Sequence, residues 1–339
     1  MPDAALGQLV RQAFAAKRCM HPDAAPGRCT KIIDAHTVQR ARTLESLIDS
    51  ANHVLTFYPY VWQRTRPLPL QRRGWREAST FTGFCGYHDS ATFGPIEREE
   101  PPITPEACFL FSYRALCHEL FQKLAADQAF PVLLRHGDRG FSSEDQREYQ
   151  RRSRASAAGL KKAIVDLNAV KTVADTALLR KDYSGWRFLA LTFEGPLSLA
   201  TSGAPTPNRD LSGAPLQVLH DPNSALEHLY VSVVAHGVGV LVVFGWQGHH
   251  LAPERWAASL LSLSADVLPS WLVQFVFSHL ENVFFSAAWW EGLAPDLQGH
   301  VQTLASNSNA YYFPTPFTQN TLVPWKPQST VRLPVPAAV

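Results

Sequence analysis

The 339-residue chain carries 31 Lys and Arg against 29 Asp and Glu, a net charge of +2, with 46% apolar and 18% charged side chains. This composition excludes a disordered chain and is too weakly charged for a dedicated nucleic-acid coat protein, while the length suffices for one large or two modest globular domains. The charge is uneven: residues 1–180 hold 25 basic and 19 acidic groups, residues 181–339 only 6 and 10, so the front half is the basic half.

In chain order, residues 4–17 read as a short helix, with Leu6, Leu9, Val10 and Phe14 at helical spacing. This start lacks the apolar stretch of a secretory signal, and a cytoplasmic chain is expected. From Cys19 to Glu97, short β-like runs (Thr30 to Ile33, His53 to Tyr60) alternate with Pro- and Gly-marked turns, and a helix is expected over Val38 to Ser50. A unit this rich in loops has little core of its own, and a metal would supply the missing stability.

Glu99-Glu100-Pro101-Pro102 reads as a linker. Thr104 then caps a helix with Pro105 in its first turn, running to about Ala126. Ser142 or Ser143 caps a second helix reaching about Lys181, with Leu160, Ile164, Leu167, Ala174 and Leu178 on one face. Its length suits an interdomain spine or a homo-oligomer contact through residues 143–181. After Gly185 the pattern turns to strands: Trp186 to Phe193, Leu216 to Leu219, Leu229 to Val234 and Val238 to Trp246, the last two joined by a hairpin. Helices are expected over Pro253 to Ser264 and Ser270 to Trp290, and coil from Tyr311 onward. The most apolar stretch, Leu229 to Trp246, contains His236 and three glycines and does not read as a membrane span.

Five cysteines in a chain without a secretory signal argue for reduced thiols rather than a disulfide framework. Cys85-Gly86-Tyr87-His88 is a compact half-site in which two donors can bite one ion, with Gly86 expected to permit the turn. Cys19 and Cys29 supply the other half across a Pro- and Gly-rich insert whose ends can both return to the metal. Three thiolates and one imidazole close a tetrahedron around structural zinc. The competing reading makes Cys19 and Cys29 ordinary half-buried thiols. His21 is a candidate substitute ligand for the zinc site. Cys108 and Cys117, nine residues apart on one helix, face opposite ways and belong to the core.

Between the half-sites, Lys31-Ile32-Ile33-Asp34-Ala35-His36 reads as a strand ending in a histidine. The order of a Cys pair, a strand closing on an Asp/His element, and a Cys-containing knuckle opening a helix resembles the zinc-supported HNH nucleases, with their treble-clef-like ββα-metal core. The resemblance covers residues 19 to 97. It implies His36 as the general base that activates water, Asp34 or Asp89 as holders of a catalytic Mg²⁺ or Mn²⁺, and Asn52 as the residue that orients the histidine. The chain departs from the pattern: Ala35 separates Asp34 from His36, and Asp89 stands where the family has its last metal-binding histidine. Stand-alone chains joining such a module to a large second domain resemble mobile-element or phage-defence effectors, which implies an antiviral role.

Apart from the resemblance, a base plus one or two carboxylates is the minimum equipment for phosphodiester hydrolysis, and His36, Asp34 and Asp89 supply it. The non-catalytic reading makes His36 a zinc ligand or cap residue and Asp89 a helix cap. Trp62, Arg64, Arg66, Arg72, Arg73, Trp75 and Arg76 form a basic, aromatic-laced segment suited to phosphates and unpaired bases, or a solvated loop pairing with Glu97, Glu99 and Glu100. A second basic cluster lies along the long helix: Arg147, Arg151, Arg152, Arg154, Lys161 and Lys162. His279, Glu281 and Asn282 inside an apolar run read as a satisfied polar network at a helix packing seam, or as a ligand pocket or sensor site. No phosphate-cradling loop, dinucleotide fingerprint or serine-hydrolase elbow occurs.

The expected fold is α+β: a small zinc-stabilised, treble-clef or HNH-like module (1–100), a helical connector (101–182), and a larger α+β domain with antiparallel strands and long helices (183–339). The expected function is metal-dependent endonuclease action on nucleic acid. The alternative is a non-catalytic zinc finger binding nucleic acid or a protein partner.

Overall fold

A computed structural model describes residues 3–57, 67–98, 100–219, 221, 223–307 and 318–334. The fold is α+β with antiparallel sheets and long helices. After α1 (Asp3–Phe14), the strands β1 (Ile32–His36) and β4 (Thr80–Cys85) pair in a small two-stranded sheet, and α2 (Gly86–Phe93) follows β4 directly. Between them, β2 (His53–Thr56) and β3 (Gln71–Gly74) leave for a larger sheet. They join β5 (Trp186–Glu194), β6 (Leu199–Gly203), β7 (Tyr230–His236), β8 (Gly239–Gln247), β9 (Val283–Phe285) and β10 (Lys326–Leu333) in the order β10-β5-β8-β7-β6-β9-β2-β3. The sheet thus crosses the expected boundary at residue 100, joining residues from both ends of the chain.

Strand periodicity explains the two cores. Along β5, Phe188 and Ala190 face α3 (Pro105–His136) and α4 (Ser143–Arg180), whereas Leu189, Leu191 and Phe193 enter a second core with α5 (Leu251–Leu260), α6 (Leu268–His279) and α8 (Pro295–Ser306). Phe81, Phe84 and Phe93 of the small unit share the α3–α4 core, so this unit is seated on the helical hairpin. No helix among the described residues is long and apolar enough to cross a membrane.

Close strand pairing fixes one glycine. A Cβ on Gly239 would lie 2.2 Å from the Phe193 carbonyl oxygen. Gly239→Ala is therefore expected to cost about 1–3 kcal/mol and to lower the thermal midpoint; an unchanged midpoint would contradict this packing.

Several elements differ from the sequence reading. The expected helix from Val38 is instead two short turns, Arg40–Leu44 and Glu45–Leu47, broken where Ala41 is extended and Arg42 has φ +70°. α3 continues past Ala126 through Pro131, and Tyr149 and Gln150 of α4 donate hydrogen bonds to its Leu133 and Leu134 carbonyls. The expected helix from Ser270 to Trp290 stops at His279; Leu280 is extended, β9 follows, and Ser286 caps the short α7 (Ala287–Gly292). Asn282 explains the break, because its buried amide donates to Thr37 Oγ1 (2.7 Å) and the Ser202 carbonyl (3.0 Å), which a helical turn would not allow. Leu216 to Leu219 is loop, beside a lone bridge between Arg209 and Pro215. α8 and β10 lie where no element and coil were expected.

Candidate metal centre

The Cys19–Cys29 loop closes on itself: Ala24 N–H donates to the His21 carbonyl and Cys29 N–H to the Ala25 carbonyl, both at 3.0 Å. Its entry pairs with β4 through Met20 N–H to the Gly83 carbonyl (2.9 Å). Cys85 is the N-cap of α2, its sulfur accepting from His88 N–H at 3.4 Å, so the knuckle is also the start of a helix. Gly86 has ordinary helical conformation and its missing side chain meets no tight contact, so the turn does not require glycine, contrary to the sequence reading.

These two pieces bring Cys19, Cys29, Cys85 and His88 together, with all four ligand atoms within 4.8 Å of one another. The three sulfurs lie 3.4, 3.4 and 3.3 Å from His88 Nδ1. Zinc with Zn–S of about 2.3 Å and Zn–N of about 2.0 Å gives a tetrahedral S···N edge of about 3.5 Å, so the group can hold a metal ion such as zinc. Burial pushes the Cys19 thiol up to about 11. Burial also acts to raise Cys85, but the His88 N–H and the neighbouring sulfurs outweigh it and hold that thiol below its ordinary value. Metal binding must therefore displace a proton from the Cys19 sulfur. His21 is not a member of the quartet; its ring stacks on His88 at 4.0 Å between centroids. Lys171 of α4 ties the loop to the hairpin, donating to the Met20 carbonyl at 2.7 Å and pairing with Asp175, which also accepts from Tyr113.

One strand-length away, β1 ends in His36 and α2 carries Asp89, one residue past the ligand His88. The Arg76 carbonyl favours the protonated His36 ring, while Nε2 is buried without a partner. Burial, with the Arg40 and Arg114 charges, pushes His36 down to about 4, so the imidazole is neutral at pH 7. Asp89 Oδ1 is likewise buried and unpartnered; burial raises its pKa, opposed by Arg114. Arg114 and Glu97, paired at 2.6 Å, act on both groups. Sequence reading missed this pair because α3 lies outside the linear motif; the lone arginine in the apolar run Phe109 to Leu116 was the available signal.

The other expected site residues do not join them. Asp34 is exposed at the bulge between Ile33 and Ala35. Asn52 sits with φ +59° in the turn before β2, its N–H donating to the Asp49 carbonyl and its carbonyl accepting from Trp75, so it serves the large sheet. Trp62, Arg64 and Arg66 lie outside the described residues. Arg72 pairs with Asp49, Arg73 is half-buried on β3, and Trp75 packs on the larger core with Arg40 and Arg76 over its ring at 5.9 and 5.8 Å. On α4, Arg151 and Arg152 pair with Glu148, and Lys162 with Asp166. Cys108 and Cys117 are core residues, 1% and 0% exposed. Comparison of the chain with protein-family models, with curated proteins and with solved structures gives no match.

Proposed function

We propose that the chain is a metal-dependent endonuclease of the HNH kind, in which zinc at Cys19, Cys29, Cys85 and His88 braces the fold and His36 is the general base. The observation that carries this is the neutral, unpartnered Nε2 of His36 in the same charged surroundings as the unpartnered Asp89 carboxylate. A neutral imidazole with an unpartnered ring nitrogen is arranged to accept a proton. His36 Nε2 takes a proton from water as the water oxygen bonds to phosphorus; the ester P–O bond breaks, and the leaving oxygen gains a proton from solvent. Mg²⁺ or Mn²⁺ would neutralise charge developing on the phosphate. Asp89 suits such an ion, since Mg²⁺ is commonly held by one or two carboxylates together with substrate phosphates.

Nucleic acid is the partner this reading requires, and a phage-defence or mobile-element role in the cytoplasm is its biological form. A second copy packed along α4 would cover the exposed Val165, Val173 and Leu179. One observation favours the non-catalytic zinc-finger alternative: among the described residues, only the Cys3His group gathers three or more close metal donors.

The test is cleavage of plasmid DNA and of structured RNA by the zinc-loaded full chain in Mg²⁺ or Mn²⁺, beside His36→Ala. Cleavage is expected to fall by about 10²–10⁴-fold in the variant while one zinc per chain is retained. Cleavage that survives the substitution overturns the assignment of His36, and zinc without cleavage in the parent chain favours the binding module.

A further inference from the structure

Three buried polar atoms beside the proposed site lack hydrogen-bond partners, and each comes from a different element: His36 Nε2 from β1, Asp89 Oδ1 from α2 and Arg114 Nε from α3. Folded interiors leave few such atoms, and several in one neighbourhood mark a place for a missing group. Arg114 is the most informative of them. Its side chain is 4% exposed, its guanidinium lies 4.1 Å over the Phe93 ring, and Nη2 donates to Glu97 at 2.6 Å. Stacking and pairing together fix the plane of the fork while leaving Nε unused.

Withdrawing a guanidinium this far from water is costly unless its donors are satisfied. Glu97 engages one edge and is itself 38% exposed, so this pair alone offsets little of that cost. A fixed fork with a spare N–H matches an oxyanion, above all phosphate, whose oxygens accept parallel N–H bonds. A second guanidinium, that of Arg40, also acts on His36.

We propose that Arg114 forms a phosphate seat beside His36 and Asp89, with its Nε donating to a phosphate oxygen and the Glu97 carboxylate competing with the phosphate for the guanidinium. The scissile phosphate as natural occupant rests on the nuclease reading, but the seat itself is testable without cleavage. Arg114 would touch substrate, and it is supplied by a long helix outside the β1–β4–α2 unit.

Inorganic phosphate is the probe, titrated into the zinc-loaded full chain by calorimetry. Charge-assisted hydrogen bonds of this kind are worth about tenfold or more in affinity. Arg114→Gln is therefore expected to weaken phosphate at least tenfold, Glu97→Gln to tighten it by freeing the guanidinium, and Arg154→Gln, which removes an exposed charge on α4, to leave it unchanged. Zinc content and the thermal midpoint report folding. Phosphate that does not bind the parent chain, or binds Arg114→Gln as well as the parent, overturns the seat. Should Arg114→Gln fail to fold, Glu97→Gln decides, and unchanged or weaker binding there overturns it. A short oligonucleotide that displaces bound phosphate supports the nucleic-acid backbone as occupant. Phosphate binding without such displacement counts against the nuclease reading and leaves the seat standing.

Discussion

Chelation of zinc from the full chain, or Cys85→Ser, is expected to unfold the segment from Lys17 to Phe93 and to destabilise the rest by at least about 3–5 kcal/mol. The lower bound follows from losing a ligand set that in isolated zinc modules supplies about 10 kcal/mol or more of folding free energy. Cys85 makes the sharpest test because it has three roles: it offers a ligand, caps α2 and sits 1% exposed at the end of β4. The fully buried Phe84 beside it reaches the α3–α4 core, so loosening the knuckle also disturbs the hairpin. Hydrogen exchange and thermal melting should show β1, β4 and α2 losing protection first, with β7 and β8 holding longer. One zinc per chain and a fall of 10 °C or more on its removal is the expected result. A chain that purifies without zinc and melts at the same temperature with or without chelator would sink it.

Acid is expected to destabilise the protein well above the range where carboxylates titrate. Burial pushes His228, 4% exposed, and His250, 9% exposed, down to about 4. An unfolded histidine takes up its proton near pH 6.5. These side chains therefore stabilise the fold fully above that value, and the contribution is lost as the pH falls toward 4. Glu119 and Asp166 near His228 favour its protonated form, Lys123 and His250 oppose it, and Glu227 favours protonation of His250. At pH 4.5 the loss is about 2 kcal/mol for each histidine. Thermal midpoints measured at pH 7 and pH 4.5 should differ by several degrees, and His228→Gln with His250→Gln should remove about half of that difference. An acid-induced drop of equal size in parent and double variant would show that other groups carry it.

The metal quartet was legible because its chemistry is local: one half-site lies within a single helical turn and the other within one loop. Helix starts at Thr104 and Ser142 were legible for the same reason, each being a capping side chain followed by a first-turn signal. Long-range arrangement was not. Asn282 reads as a polar interruption of a helix until its partners Thr37 and Ser202 are in place. β10 escaped notice because Lys326 to Thr330 are exposed on an edge strand and show no apolar alternation. Arg114 could not be assigned to His36 from sequence, since only the packing of α3 against Phe84 and Phe93 brings them together. Asn52 shows the converse error, where a residue of the right type near the motif is committed to a turn.

The strand order also governs how the chain can be made. Leu55 of β2 takes as its neighbour Phe285 of β9, 230 positions later. At ribosomal rates of 5–20 residues per second, the β2–β3 ribbon waits roughly 10–50 s for that partner. During this interval the inner edge of β2 is an open template for strangers, and closing so long a loop is slow once the partner arrives. Synthesis in a crowded cell therefore favours a chaperone hand-off between the first hundred residues and the last sixty.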